Sequence, residues 1–125
     1  MARFKSHMLL VKSMSLLLLI AGGVHLISPE VFLPAMPPYL PFHLPLIYFT
    51  GILELMAAVG LVIKKYRRVT GFSLVAYFIA ILPAHFHIAI HSVSLFGITD
   101  PVVLWGRLVF QSVLIYGAYR IANYE

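Results

Sequence analysis

The sequence predicts an all-α membrane protein: an antiparallel, up-down-up-down four-transmembrane-helix bundle with N and C termini cytoplasmic. Three observations carry this. The 125-residue chain is 62% hydrophobic and only 10% charged, whereas a soluble domain carries about a quarter charged residues. Four stretches approach the roughly 20 apolar residues that a helix needs to cross the hydrocarbon core. Lysine and arginine cluster at alternate span ends, the pattern expected when cytoplasmic loops retain them. The length suits a single transmembrane domain over residues 1–125.

The spans are Met8–Ile27, Leu44–Ile63, Val69–His91 and Pro101–Ile121. Arg3, Lys5 and Lys12 open the first, and Ser28-Pro29 ends it, because proline disfavours helix in the residue before it. Basic residues ahead of Leu16–Ile20 also suit a cleaved signal peptide. No A-x-A-like site follows Ala21-Gly22-Gly23, however, and removal would leave three spans with broken charge logic. The segment is therefore read as a span. The connector from Ser28 to His43 contains Pro29, Pro34, Pro37, Pro38 and Pro41 among apolar residues. Such proline density opposes regular helix, and a solvated loop would be more polar. The segment is expected to lie against the outer end of the bundle, as a lid or as an interfacial anchor.

Lys64-Lys65-Tyr66-Arg67-Arg68 reads as a tight basic turn after the second span. The third contains Pro83, which frees the Ile79 carbonyl and predicts a kink. Asp100-Pro101 opens the fourth with an N-cap carboxylate and a proline at the first helical position. Arg120 returns positive charge to the end. Tyr39, Tyr48, Trp105 and Tyr119 lie near span ends, as an aromatic belt requires.

Composition also narrows the function classes. The absence of cysteine removes disulfides, thiolate metal sites and thiol redox relays. The net charge of +5 sits at the edges of apolar runs, which reads as membrane anchoring and not as nucleic-acid binding. No internal repeat argues for a two-fold transporter.

Ionisable groups inside a span are costly and normally face a bundle interior or cavity. At about 1.5 Å per residue, Glu54 lies about 15 Å into the second span and Arg107 about 9 Å into the fourth, with Gln111 one turn further. His25 lies near the outer end of the first span, and His85, His87 and His91 occupy the outer part of the third. These groups fall in the outer half or at the midplane, while the cytoplasmic half is almost purely apolar. Helical spacing aligns Ser15, Leu18, Gly22 and His25; Gly51, Glu54 and Ala58; and Leu104, Arg107, Gln111, Leu114 and Ala118. The third helix is ambiguous: Ser73, Ala76, Ala80, Ala84, His87 and His91 form one small-and-polar stripe, while His85 points nearly the opposite way. Small residues on such stripes allow close helix approach in lipid.

Two readings of Glu54 and Arg107 stand: a structural ion pair that sets helix register, or a polar pocket open from the outer side for a lipophilic molecule. His87 and His91 have i, i+4 metal-chelating spacing, but no third ligand is specified and ordinary hydrogen bonding suits them better. Metal and haem are not expected.

His25 after Gly22-Gly23, Ser28-Pro29-Glu30, Met36-Pro37-Pro38-Tyr39-Leu40-Pro41, Thr50-Gly51-x-x-Glu54, Pro83-Ala84 and Arg107-Leu108-x-x-Gln111 together resemble the DoxX-like family of small membrane proteins. The resemblance covers residues 20 to 120. It implies a four-helix membrane bundle, with His25, Glu54, Arg107 and Gln111 carrying what the family shares. Its name comes from a subunit of an archaeal quinol oxidase and thiosulfate:quinone oxidoreductase system. Relatives are linked to oxidant defence or to receptor assembly. Family members usually have asparagine where this chain has His85, and proline where it has Val109.

The expected role is an accessory subunit in a bacterial or archaeal plasma membrane, with an outer-half pocket for a quinone or other lipophilic small molecule. His25, Glu54, His85, Arg107 and Gln111 are the expected ligand-binding residues. Its partners would be the bilayer, that molecule, and a membrane-protein partner or further copy. The alternative is a structural or assembly subunit acting through helix contacts. No nucleophile with an adjacent base argues for a freestanding enzyme.

Overall fold

A computed structural model describes residues 2–35, 38, 41–90 and 100–124. They form α1 (Ala2–Ile27), a 3₁₀ segment (Pro29–Ala35), α2 (His43–Val62), α3 (Lys64–Ala80), α4 (Leu82–Ile90) and α5 (Pro101–Ala122). No strand occurs among the described residues. Four helical stretches, with α3 and α4 counted as one over Lys64–His87, are long and apolar enough to cross a membrane. Their outer faces are apolar: Leu9, Ile27, Met56, Val69, Val102 and Val109 are each more than 60% exposed. Such a surface suits lipid, where burial in water would otherwise be required.

The first pairing is α1 against α2. Gly22 and Gly51 meet backbone to backbone, so closely that a Cβ on Gly22 would lie 2.8 Å from the Gly51 carbonyl oxygen. Further along, Ser15 Oγ donates to the Ala58 carbonyl at 2.6 Å. The expected stripe on α2 is buried as Ile47, Gly51, Glu54, Ala58 and Leu61. A second pairing joins α3 to α5, where Gly71 lies against Ala122. Val11, Met14, Leu18, Ala58, Leu61, Leu74, Phe78, Ala118 and Ile121 interlock as the apolar core.

Two expectations are corrected, and the inward face of the third span is decided. Lys64–Arg68 is not a loop but the first turns of α3; only Ile63 separates it from α2. Lysine and arginine are good helix formers, and Arg67 secures the junction. Its Nε donates to the Leu61 carbonyl at 2.6 Å and its Nη2 to that of Val62 at 3.3 Å, filling acceptors that the end of α2 leaves without helical donors. On the third span, whose inward face the sequence leaves open, the stripe does not form the packed core, although Ala80 and Ala84 line a cavity. Ser73, Ala76 and Ala80 are exposed, and Gly71, Leu74 and Phe78 pack inward. Apolar bulk against the core outweighs small size there. The second correction concerns Glu54 and Arg107, which make no ion pair: among the described residues the backbones of α2 and α5 do not approach closely, and the two side chains stand on different walls.

Other expectations hold. The third span breaks at Ile81, two residues before Pro83. Asp100 caps α5 through its side chain, accepting from the Val102 N–H at 2.9 Å, with Pro101 following. Tyr48, Trp105 and Tyr119 are exposed near helix ends. Tyr39 and most of the Met36–Leu40 stretch lie outside the described residues.

The glycine pair yields a test. Gly22→Ala gains helix propensity of about 1 kcal/mol, yet it forces a methyl onto the Gly51 carbonyl, and overpacking costs about 1–3 kcal/mol. It should lower the denaturation midpoint in mild detergent. Gly23→Ala, where a Cβ meets nothing within 4 Å, should leave the midpoint unchanged or raise it. Equal midpoints for the two variants would refute the packing argument.

Candidate functional site

Polar side chains collect in the half of the bundle that the apolar core leaves open. A cavity of about 800 Å³ lies there, walled by α1, α2, α3, α4, α5 and the 3₁₀ segment. Its volume falls within the roughly 300–1,000 Å³ of small-molecule sites. His25, Glu54, His85, Arg107 and Gln111 all line it, so the tertiary structure brings together five residues spread over four helices. The remaining wall is largely apolar, including Leu46, Ile47, Phe78, Ile81, Phe110 and Leu114.

Glu54 is almost completely buried, at 6% exposure. Its Oε2 accepts a hydrogen bond from the Tyr77 hydroxyl at 2.7 Å, and its Oε1 lies 3.3 Å from His25 Nδ1. The same Nδ1 lies 2.7 Å from the Ala21 carbonyl oxygen. A carbonyl can only accept, so this nitrogen carries the proton. The imidazole stacks on Phe32 of the 3₁₀ segment, with ring centroids 3.9 Å apart and planes 13° from parallel. The Gly22–Gly51 contact makes this arrangement reachable. A Cβ on Gly51 would lie 2.6 Å from the His25 Cβ, so only glycine lets the histidine fold over α2 towards Glu54.

The opposite wall comes from α4 and α5. Breaking the helix at Ile81 deprives carbonyls in the last turn of α3 of helical donors. Gln111, 3% exposed, fills that of Phe78, its Nε2 donating at 2.9 Å. Thus Gln111 lines the cavity but spends an amide N–H on the backbone. Pro83 and Ala84 carry the chain along the wall to His85, which lies within electrostatic reach of Arg107.

Among the described residues, three buried polar atoms make no hydrogen bond: His85 Nδ1, Arg107 Nε and Glu54 Oε1, the last with only the ion-pair approach of His25 Nδ1. Every one belongs to a residue lining this cavity. Leaving a buried donor or acceptor unmet costs about 1–3 kcal/mol, and orphaned groups are rare in folded proteins. All three face one largely apolar space, where they are open to a partner from outside the chain. The set offers acceptor capacity at Glu54, a donor at Arg107, and a group of either kind at His85.

Sequence reasoning passed over Tyr77, Thr50 and Phe32, which also line the cavity. Tyr77 carried a signal, since a phenol placed mid-span needs a partner when buried. Phe32 carried none, because its position depends on how the proline-rich connector folds back. His87 does not line the cavity, and His91 lies outside the described residues. No group of three or more histidine or acidic side chains among the described residues is placed to hold a metal ion.

Over residues 14–122 the chain matches the family described as a domain of unknown function, DUF8561. The chain belongs to this family. Comparison with curated proteins and with solved structures finds no match. The description of DUF8561 attaches no activity to the cavity, so its chemistry has to be argued from the side chains.

The Tyr77 hydroxyl is expected to matter to folding. Tyr77→Phe removes the donor to a buried carboxyl and should lower the unfolding free energy by about 1.5–3 kcal/mol. Tyr119→Phe, on an exposed side chain, should change it by less than about 0.5 kcal/mol. Denaturant titration in mild detergent reads both, and indistinguishable curves would deny the bond any energetic role.

Proposed function

We propose that this protein is a multi-pass protein of the cell membrane that binds a lipophilic small molecule with an oxygen-bearing head, of the quinone class, in the 800 Å³ cavity. The observation that carries the reading is the convergence of three orphaned buried polar atoms on one largely apolar space. Arg107 Nε–H and His85 Nδ1 would hold ring oxygens, Glu54 and His25 would meet the opposite side, and Phe32 and Phe110 supply aromatic faces. A quinone supplies reversible electron and proton uptake when bound; the side chains orient it and exclude water. Resemblance to the DoxX-like family supports the same reading and suggests an accessory subunit of a redox or oxidant-defence system.

The proposal includes a topology in which the four spans alternate in direction and both termini are cytoplasmic. Support comes from contacts that gather the basic residues: Arg67 Nη1 reaches Met8 Sδ at 3.9 Å, and Arg3 lies over the Tyr124 ring. The cavity would then lie in the outer half. The alternative, an assembly subunit acting through small-residue faces, is weaker. Gly22, Gly51, Gly60, Gly71 and Gly117 are all occupied by contacts within the chain.

Native mass spectrometry and organic extraction of the purified protein should reveal a retained lipophilic molecule. A short-chain benzoquinone should bind wild type at least tenfold more tightly than Glu54→Gln/Arg107→Ala or Gly106→Leu. The last variant adds bulk to the cavity wall where a Cβ meets nothing within 4 Å. If the first variant loosens the fold while folded Gly106→Leu binds the probe like wild type, the cavity has no such role and the assembly reading prevails.

Topology has its own test. The chain lacks cysteine, so single variants Arg3→Cys, Lys65→Cys and Glu30→Cys report location without background. An impermeant maleimide applied to intact cells should label only Glu30→Cys. Labelling of Lys65→Cys as well would remove the alternating arrangement.

A further inference from the structure

A second cavity, of about 380 Å³, lies between the beginning of α1 and the end of α5. Arg3, Ser6, Leu10 and Ser13 follow one another at helical spacing along its α1 side, and Arg120 and Tyr124 close it from the other chain end. Tyr124 organises the site. Its ring stacks on His7 with centroids 3.7 Å apart and planes 7° from parallel, and it carries the Arg3 guanidinium 5.6 Å from its centroid. The Arg120 guanidinium lies 5.9 Å from the Tyr116 ring centroid. Aromatic faces therefore position both cations, and among the described residues neither forms an ion pair.

Three features specify what would complete this site. Two guanidiniums present forked donors suited to phosphate oxygens, and the Ser6 and Ser13 hydroxyls add further donors. The first turn of α1 holds no acidic residue, so the positive end of the helix dipole has no side-chain complement there. Beside these groups stands Leu9, lining the cavity and 68% exposed. It continues into the apolar outer face of α1 through Leu16 and Leu19. A free phosphate would use the arginines and leave that leucine unexplained; a phosphate attached to acyl chains uses both.

We propose that this basic cavity binds the phosphate headgroup of an anionic phospholipid, with Leu9 and the adjoining face of α1 receiving its acyl chains. Basic pockets between helices at a membrane surface recognise lipid headgroups in this way. The site shares no lining residue with the large cavity. It depends on the chain being membrane-embedded and not on the ligand proposed above.

Titration of the detergent-purified protein with phosphatidylglycerol, phosphatidylcholine or inorganic phosphate, read by native mass spectrometry, tests it. Wild type should retain one phosphatidylglycerol at least tenfold more tightly than phosphatidylcholine, and millimolar inorganic phosphate should not displace it. Arg3→Gln/Arg120→Gln should lose that preference. Lys5→Gln/Lys12→Gln, which removes the same charge from exposed residues outside the cavity, should keep it. Ser13→Phe fills the cavity with every charge intact and should also weaken binding, so the proposal does not hang on how the arginine variant folds. Equal loss in the lysine variant would reduce the effect to net charge. Full displacement by inorganic phosphate would assign the site to a free anion, and equal retention of both lipids would remove it.

Discussion

The meeting of Gly22 with Gly51 is the contact on which the rest of the architecture depends. Lipid provides no hydrophobic drive for helices to associate, because acyl chains are as apolar as leucine. Close backbone approach, with the dispersion it gains, has to supply the attraction. Two glycines at one height let α1 and α2 reach that distance. One turn along α1, the same approach places His25 over α2 and brings its imidazole to Glu54. A carboxyl near the middle of a span is tolerable only with partners, and this pairing supplies one while Tyr77 supplies the other.

A second constraint, proline, shapes the other side. Pro83 cannot donate a backbone N–H, so the third span breaks next to it and its last carbonyls need new donors. Gln111 meets one of them. Beyond the break, α4 carries His85, which lines the cavity with Arg107 and with Glu54 of α2. The bundle is thus divided into a packed half and a hollow half.

The polar inventory of the hollow half is unbalanced within the chain. Among the described residues, Glu54, His85 and Arg107 each keep a buried atom without a hydrogen bond, although a direct Glu54–Arg107 bridge would have satisfied two of them. Among the described residues, the backbones of the helices that carry those two residues do not approach closely. Keeping the charges apart across an apolar space retains a desolvation cost that self-pairing would have offset, and such a cost is typical of a binding site. At the opposite end, Arg3 and Arg120 lie on aromatic rings, and among the described residues neither forms an ion pair.

Much of this was legible before any coordinates. Span number and approximate bounds follow from composition alone, because crossing a bilayer demands length and apolarity that are visible residue by residue. The Asp100-Pro101 helix start and the interruption near Pro83 are local backbone chemistry, written in two or three adjacent residues. The candidate site was legible as a set of polar residues at similar depth, since depth scales with position along a helix. What sequence could not decide is which walls face one another. That depends on the rotation of each helix and on the choice of neighbours, both set by packing between residues far apart in the chain. Tertiary structure alone paired Glu54 with His25 and Tyr77 instead of Arg107, turned Ser73 and Ala76 outward, and folded Phe32 back onto an imidazole. Each outcome is a competition among side-chain contacts of similar energy, and only the assembled bundle resolves it.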